Sequence, residues 1–251
     1  MNYYIAGLFS TLISIFIFRY YWWNFNWVGK DKTILYVIPT LLLSAIVNIF
    51  IKKPIYNQLY TLFNISKEVT LWPLWFIPIV TVIGAFAEEF IKILPILTNK
   101  ILLREKIDIY FSALLTGFGF GIGEIWYLCY RLSKTQPQYA SGFINLILLS
   151  MGFGGERIIA VLLHIIFIGI VGYGFILNQP LKYFLLAILL HSVINIPAGL
   201  YQTKKVYPLI SIVLIIIIFC LILFYFSPID EDVKKRKGFK IDGTETVIYK
   251  K

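Results

Sequence analysis

Charge, cysteine and histidine are all scarce in this sequence, and each scarcity excludes something. Only 14% of the 251 residues are Asp, Glu, Lys or Arg while 59% are hydrophobic, too little polar surface to clothe a water-soluble domain of this length. The two cysteines, Cys129 and Cys220, lie in or beside apolar runs and form no C-x-x-C pair, so neither a disulfide framework nor a thiolate metal site is indicated. No stretch alternates apolar and polar residues as a barrel strand must, and no internal repeat of the kind common in transporters is visible. The amino terminus, Met1-Asn2-Tyr3-Tyr4, has no positive region and no small-residue cleavage motif, so a retained first span is expected rather than a signal peptide.

What the chain does have is long apolar runs. A hydrocarbon core is crossed by roughly 20 residues of helix, and a lipid-exposed backbone must satisfy its own hydrogen bonds. The expectation is an all-α fold, a polytopic transmembrane helix bundle of seven spans: Tyr3 to Trp23, Thr33 to Ile51, Leu71 to Leu97, Asp108 to Tyr130, Gly155 to Leu177, Leu181 to Tyr201 and Val206 to Phe226. Ser141 to Phe153 is apolar but too short to cross, and is expected to form an interfacial or re-entrant helix. Residues 1–227 then make one transmembrane domain, and 228–251 a charged tail without a fold of its own. The formal charge of +10 lies at span ends and in the tail, which suits lipid headgroups and not nucleic acid. Lys and Arg balance across the short joints, so the basic run Lys234 to Lys240 decides the expected orientation in the cell membrane: carboxyl terminus cytoplasmic, amino terminus outside.

Against this background a few polar residues stand out inside spans. Glu88, Glu89 and Lys92 interrupt the third, and a charge near the bilayer centre costs on the order of 3 kcal/mol unless it is paired or hydrated. Glu88 and Lys92 are four apart and can share a face, whereas Glu89 is turned about 100° away. The fourth span carries Gly117, Gly119, Gly121 and Gly123, which form two G-x-x-x-G pairs suited to close helix contact, followed by Glu124. The fifth carries Glu156, Arg157 and His164; Glu156 and Arg157 can also be read as an interfacial pair at a helix start. The sixth carries His191 and Asn195 one turn apart, two N–H donors able to face a developing oxyanion or to bond a neighbouring helix. His164 and His191 are the only histidines.

Glu88-Glu89-x-x-Lys92, Phe120-x-x-x-Glu124, His164 and His191-x-x-x-Asn195, in that order on four successive spans, resemble the motifs of the CAAX protease and PrsW superfamily of glutamic-type intramembrane proteases. Glu156-Arg157-x-x-Ala160-x-x-x-His164 is similar to the YhfC branch. Lys92 and Glu124 depart from the prenyl-protease branch toward PrsW. The resemblance covers about residues 71–201 and implies a membrane-protein substrate such as an anti-sigma factor, with no metal and no cofactor.

On this reading Glu88 is the general base on a water, His191 and Asn195 hold the oxyanion, and His164 places the water or protonates the leaving amine. Glu89 and Glu124 complete the catalytic set; Lys92, Phe120 and Arg157 support it. Glu88 and Glu124 are expected to share a proton or a cation, with Lys92 as the charge partner of Glu88. A Zn²⁺ held by one glutamate and both histidines is the rival account. Straight helices raise one difficulty, because these spans put Glu88 and Glu124 on opposite sides of the midplane. Other classes consistent with buried carboxylates and histidines are a non-catalytic scaffold of the same fold, an ion or proton transporter, and a membrane hydrolase or transferase acting on lipid.

Overall fold

The computed structural model describes residues 2–23, 33–102, 106–135 and 150–236, and these are helical apart from short turns. Helix α1 is Asn2–Trp23. Helix α2, Thr33–Ile46, runs through a π-helical turn, Val47–Lys52, into α3, Lys53–Leu62. A 3₁₀ turn, Val69–Leu71, precedes α4, Phe76–Leu102, and α5 is Lys106–Thr135. A second π turn, Ser150–Gly154, opens α6, Gly155–Ile176; α7 is Pro180–Gln202 and α8 is Pro208–Arg236. The short helix expected over Ser141 to Phe153 falls largely outside the described residues, and only its last turn is seen, as the π turn.

Among the described residues, six segments are long and apolar enough to span a bilayer: α1, α2 with α3, α5, α6, α7 and α8. Helix α4 has 27 residues but carries Glu88, Glu89 and Lys92, and it is the seventh crossing element of the expected bundle. The span of α5 is 83% buried and that of α8 only 17%, which makes α5 the centre of the bundle and α8 a rim. Its glycines explain the position of α5. A Cβ on Gly117 would meet His164 O at 2.5 Å, and one on Gly121 would meet Val161 Cα at 2.8 Å, so this pair lets α6 close in. A Cβ on Gly119 would overlap Thr40 Oγ1, and one on Gly123 the Leu41 carbonyl, so the other pair admits α2. Two interleaved small-residue stripes therefore serve two different neighbours.

The helix bounds differ from expectation in four places. The second span continues to Leu62, so Lys52 lies within a helix and not in a polar joint. Helix α4 begins at Phe76 rather than Leu71, and α5 extends past Tyr130 to Thr135. Helix α8 continues past the 227/228 boundary to Arg236, because its charges are satisfied locally. Tyr110 Oη donates to Asp230 at 3.0 Å and Tyr173 Oη to Asp232 at 2.9 Å, while Lys234 pairs with Asp230 and Arg236 with Asp232 at i,i+4 spacing.

Candidate active site

The revised bounds resolve the difficulty of depth. Cys129 Sγ donates to Tyr3 O at 3.0 Å, which places the end of α5 on the same face of the bundle as the amino terminus, where α4 begins. Glu88 lies 12 residues into α4, and Glu124 lies 11 residues before the end of α5. At 1.5 Å per residue both sit roughly 16–18 Å below that face. His164 and His191 come in at matching depth from α6 and α7, their ring centroids 5.6 Å apart.

Each carboxylate there has its own cation. Lys52 Nζ donates to Glu88 Oε1. Lys92, fully buried, donates to Glu89 Oε1 at 2.5 Å, and Arg157 donates to Glu124 Oε2 at 3.1 Å and to exposed Glu156. Two expectations are thereby corrected. Lys92 pairs with Glu89 three residues before it and not with Glu88 four before it; both spacings bring side chains together on a helix, and the space beside Glu88 is already filled by Lys52. A proton or cation shared between Glu88 and Glu124 is replaced by separate partners, Lys52 for one and Arg157 with His164 for the other.

The histidines connect these pairs. His164 Nδ1 lies 3.3 Å from Lys92 Nζ and its Nε2 lies 3.1 Å from Glu124 Oε2. Since an ammonium only donates, Nδ1 accepts and the ring proton falls on Nε2, pointing at Glu124. His191 Nδ1 lies 2.7 Å from Glu89 Oε1, and its Nε2 lies 3.5 Å from Glu88 Oε2. Phe167 stacks on the His191 ring at 4.9 Å, and Phe120 packs edge-on against His164 at 4.9 Å and under Lys92 at 5.1 Å. Asn195 is half-buried on the α7 face that carries His191 and hydrogen-bonds to nothing among the described residues. Glu88, Glu124, Arg157, His164, His191 and Asn195 line one cavity of about 80 Å³, with room for a few waters. Glu89, Lys92 and Phe120 stand behind it.

Within this site Glu88 Oε2 is buried and without a hydrogen-bond partner. It faces His191 Nε2, which bears a lone pair when Nδ1 holds the only ring proton. Two lone-pair donors in that position call for a proton or a cation between them. A carboxylate oxygen of Glu88 and one nitrogen from each histidine lie within 4.8 Å of one another, two nitrogens and an oxygen as in catalytic zinc sites. Glu89 behind His191 is the outer carboxylate that orients a ligating imidazole. Glu88 and His191 would offer a divalent metal an oxygen and a nitrogen, and His164 would join them only on giving up the Nε2 proton that it holds against Glu124.

A family model described as PrsW family intramembrane metalloprotease matches residues 32–224. The chain belongs to the PrsW family. It is a multi-pass membrane protein and an intramembrane protease, and the match takes in every residue of the cavity. No curated protein and no solved structure matches this PrsW-family chain. Lys52, Asn48 and Phe167 were absent from the sequence-derived set. The signal that could have found the first two is a polar stripe, Asn48-x-x-x-Lys52-x-x-x-Tyr56, at four-residue spacing in an otherwise apolar run.

Proposed function

We propose that this protein hydrolyses a peptide bond of a membrane-associated protein inside the bilayer, with Glu88 acting on water and His191 with Asn195 binding the carbonyl oxygen. The observation that carries the reading is Glu88, which lines a wet-sized cavity ringed by donors and whose Oε2 is buried without a hydrogen bond. Glu88 Oε2 takes the proton of the attacking water. His191, held through Nδ1 by Glu89, presents Nε2 to the cavity as the donor for the oxyanion, and the Asn195 amide, without a hydrogen bond among the described residues, supplies a second. The proton on His164 Nε2, held against Glu124, is placed to reach the leaving amine. Arg157, donating to Glu124, holds that carboxylate in place against His164. Substrates of the class implied by the PrsW likeness, single-span anti-sigma factors, suit a site of this depth.

A second reading is favoured by the ligand trio and by the family's description as metalloproteases. Glu88, His164 and His191 would hold the ion, which when bound activates water and polarises the scissile carbonyl. Cleavage of purified single-span candidates by wild type and by Glu88→Gln tests both. The variant is expected to fold and lose cleavage on the order of a thousand-fold or more. Activity that survives thorough chelation leaves Glu88 acting directly; activity lost to chelation and restored by Zn²⁺ assigns the trio to the metal.

A further inference from the structure

The protease reading gives Glu88 one working oxygen, and something must select it from the two. We propose that Lys52 is the positioning residue for Glu88: by holding Oε1 it commits the carboxylate to presenting Oε2 to the cavity.

The argument begins with the π turn. In an α-helix residues five apart are rotated by roughly 140° from one another, but a π turn closes its hydrogen bonds over five residues and stacks them. Val47 and Lys52 bound that turn. Val47 packs among Ala87, Ile91 and Phe120, so the face it shares with Lys52 is the face against α4. Without the extra residue in the turn, Lys52 would swing away from Glu88. The side chain is then fixed along its length. Asn48 Oδ1, one turn back, accepts from Lys52 Nζ at 3.4 Å, and Asn48 is itself tied by a 2.8 Å bond to Ser44 O. On the α4 side, Gly84 sits one turn before Glu88. A Cβ there would meet Tyr56 Oη at 2.6 Å and Lys52 Cε at 3.3 Å, so the missing side chain is the channel in which Lys52 lies. Tyr56 closes that channel by donating to Val80 O at 3.2 Å. Lys52 and Glu88 are respectively 14% and 4% exposed at the side chain, too enclosed for either to reorient into water. A lysine that served only to cancel charge would need none of this scaffolding.

The substitution that separates positioning from neutralisation is Lys52→Arg. It keeps the charge, but a guanidinium fork engages both carboxylate oxygens at once and draws Oε2 away from the cavity. Full-length protein in detergent is assayed on a fluorescence-quenched single-span peptide, and the Glu88 carboxylate stretch is read by infrared difference against Glu88→Gln. Lys52→Arg is expected to melt with wild type, to shift the Glu88 band, and to lower kcat on the order of a hundred-fold, the scale of a 1 Å misplacement, with KM within about twofold. Lys52→Met should shift the band the other way and also slow turnover; if it does not fold, Lys52→Arg alone decides. Wild-type kcat or an unshifted Glu88 band in Lys52→Arg overturns the proposal. If wild type itself cleaves no peptide, the protease reading fails while the infrared band still judges Lys52.

Discussion

At the scale of single residues, the site divides into groups that meet the cavity and groups that aim them. Glu89 is of the second kind: its Oε1 holds both Lys92 and His191, and it has no route to the cavity except through the imidazole. Glu89→Gln should therefore bind substrate with an unchanged KM while kcat falls about 10- to 100-fold, the range for losing an outer carboxylate behind a functional histidine. Asn195→Ala removes a cavity-lining donor that holds nothing else in place among the described residues. Its cost should be confined to the transition state, about 10²- to 10³-fold in kcat, with the melting temperature unmoved. Steady-state kinetics beside thermal melts of the same preparations check both, and a raised KM in either would place the residue in substrate binding instead.

At the scale of elements, the glycine stripes on α5 set how near α2 and α6 stand. Gly123 faces the Leu41 carbonyl, part of a helix backbone that cannot step aside, so Gly123→Ala should destabilise the bundle by about 1–3 kcal/mol, typical of overpacking. Gly155 has open space at its Cβ. Gly155→Ala should stabilise α6 by about 0.5–1 kcal/mol through helix propensity alone. Melting curves of the two variants should move in opposite directions. The same elements show what sequence could reveal. The crossing helices, the paired glycines and the histidines on consecutive spans were legible, because composition and spacing encode them directly. The partner of Lys92 was not, since Glu88 and Glu89 both lie within helical reach and only the neighbouring helix decides. Lys52 was hidden for a different reason: a π turn leaves no mark on hydropathy, so a lysine at the edge of an apolar run looks like the start of a loop. Glu124 was placed at the wrong depth because polar residues to Thr135 continue a helix that hydropathy ends at Tyr130.

At the scale of the whole molecule, α4 stands outside the six segments long and apolar enough to cross among the described residues; counting it as the expected seventh crossing, an odd number, predicts that the two ends of the bundle face opposite sides of the membrane. Single cysteines placed at Tyr4 and at Lys234, in a background with Cys129 and Cys220 replaced by serine, should be labelled by an impermeant maleimide from opposite faces of sealed vesicles; labelling of both from one face would remove α4 from the crossings. Three glutamates and three basic residues lie at the site, and the order of their partners along the chain matters. Lys52 meets Glu88 on the next crossing element, Glu89 meets Lys92 on its own helix, and Glu124 meets Arg157 on the next crossing element again. Each charge that would cost on the order of 3 kcal/mol in lipid is thus cancelled within a single hairpin. Such an order lets each hairpin enter the bilayer with its charges already matched, and on the proposed mechanism the site is complete only once α7 brings His191.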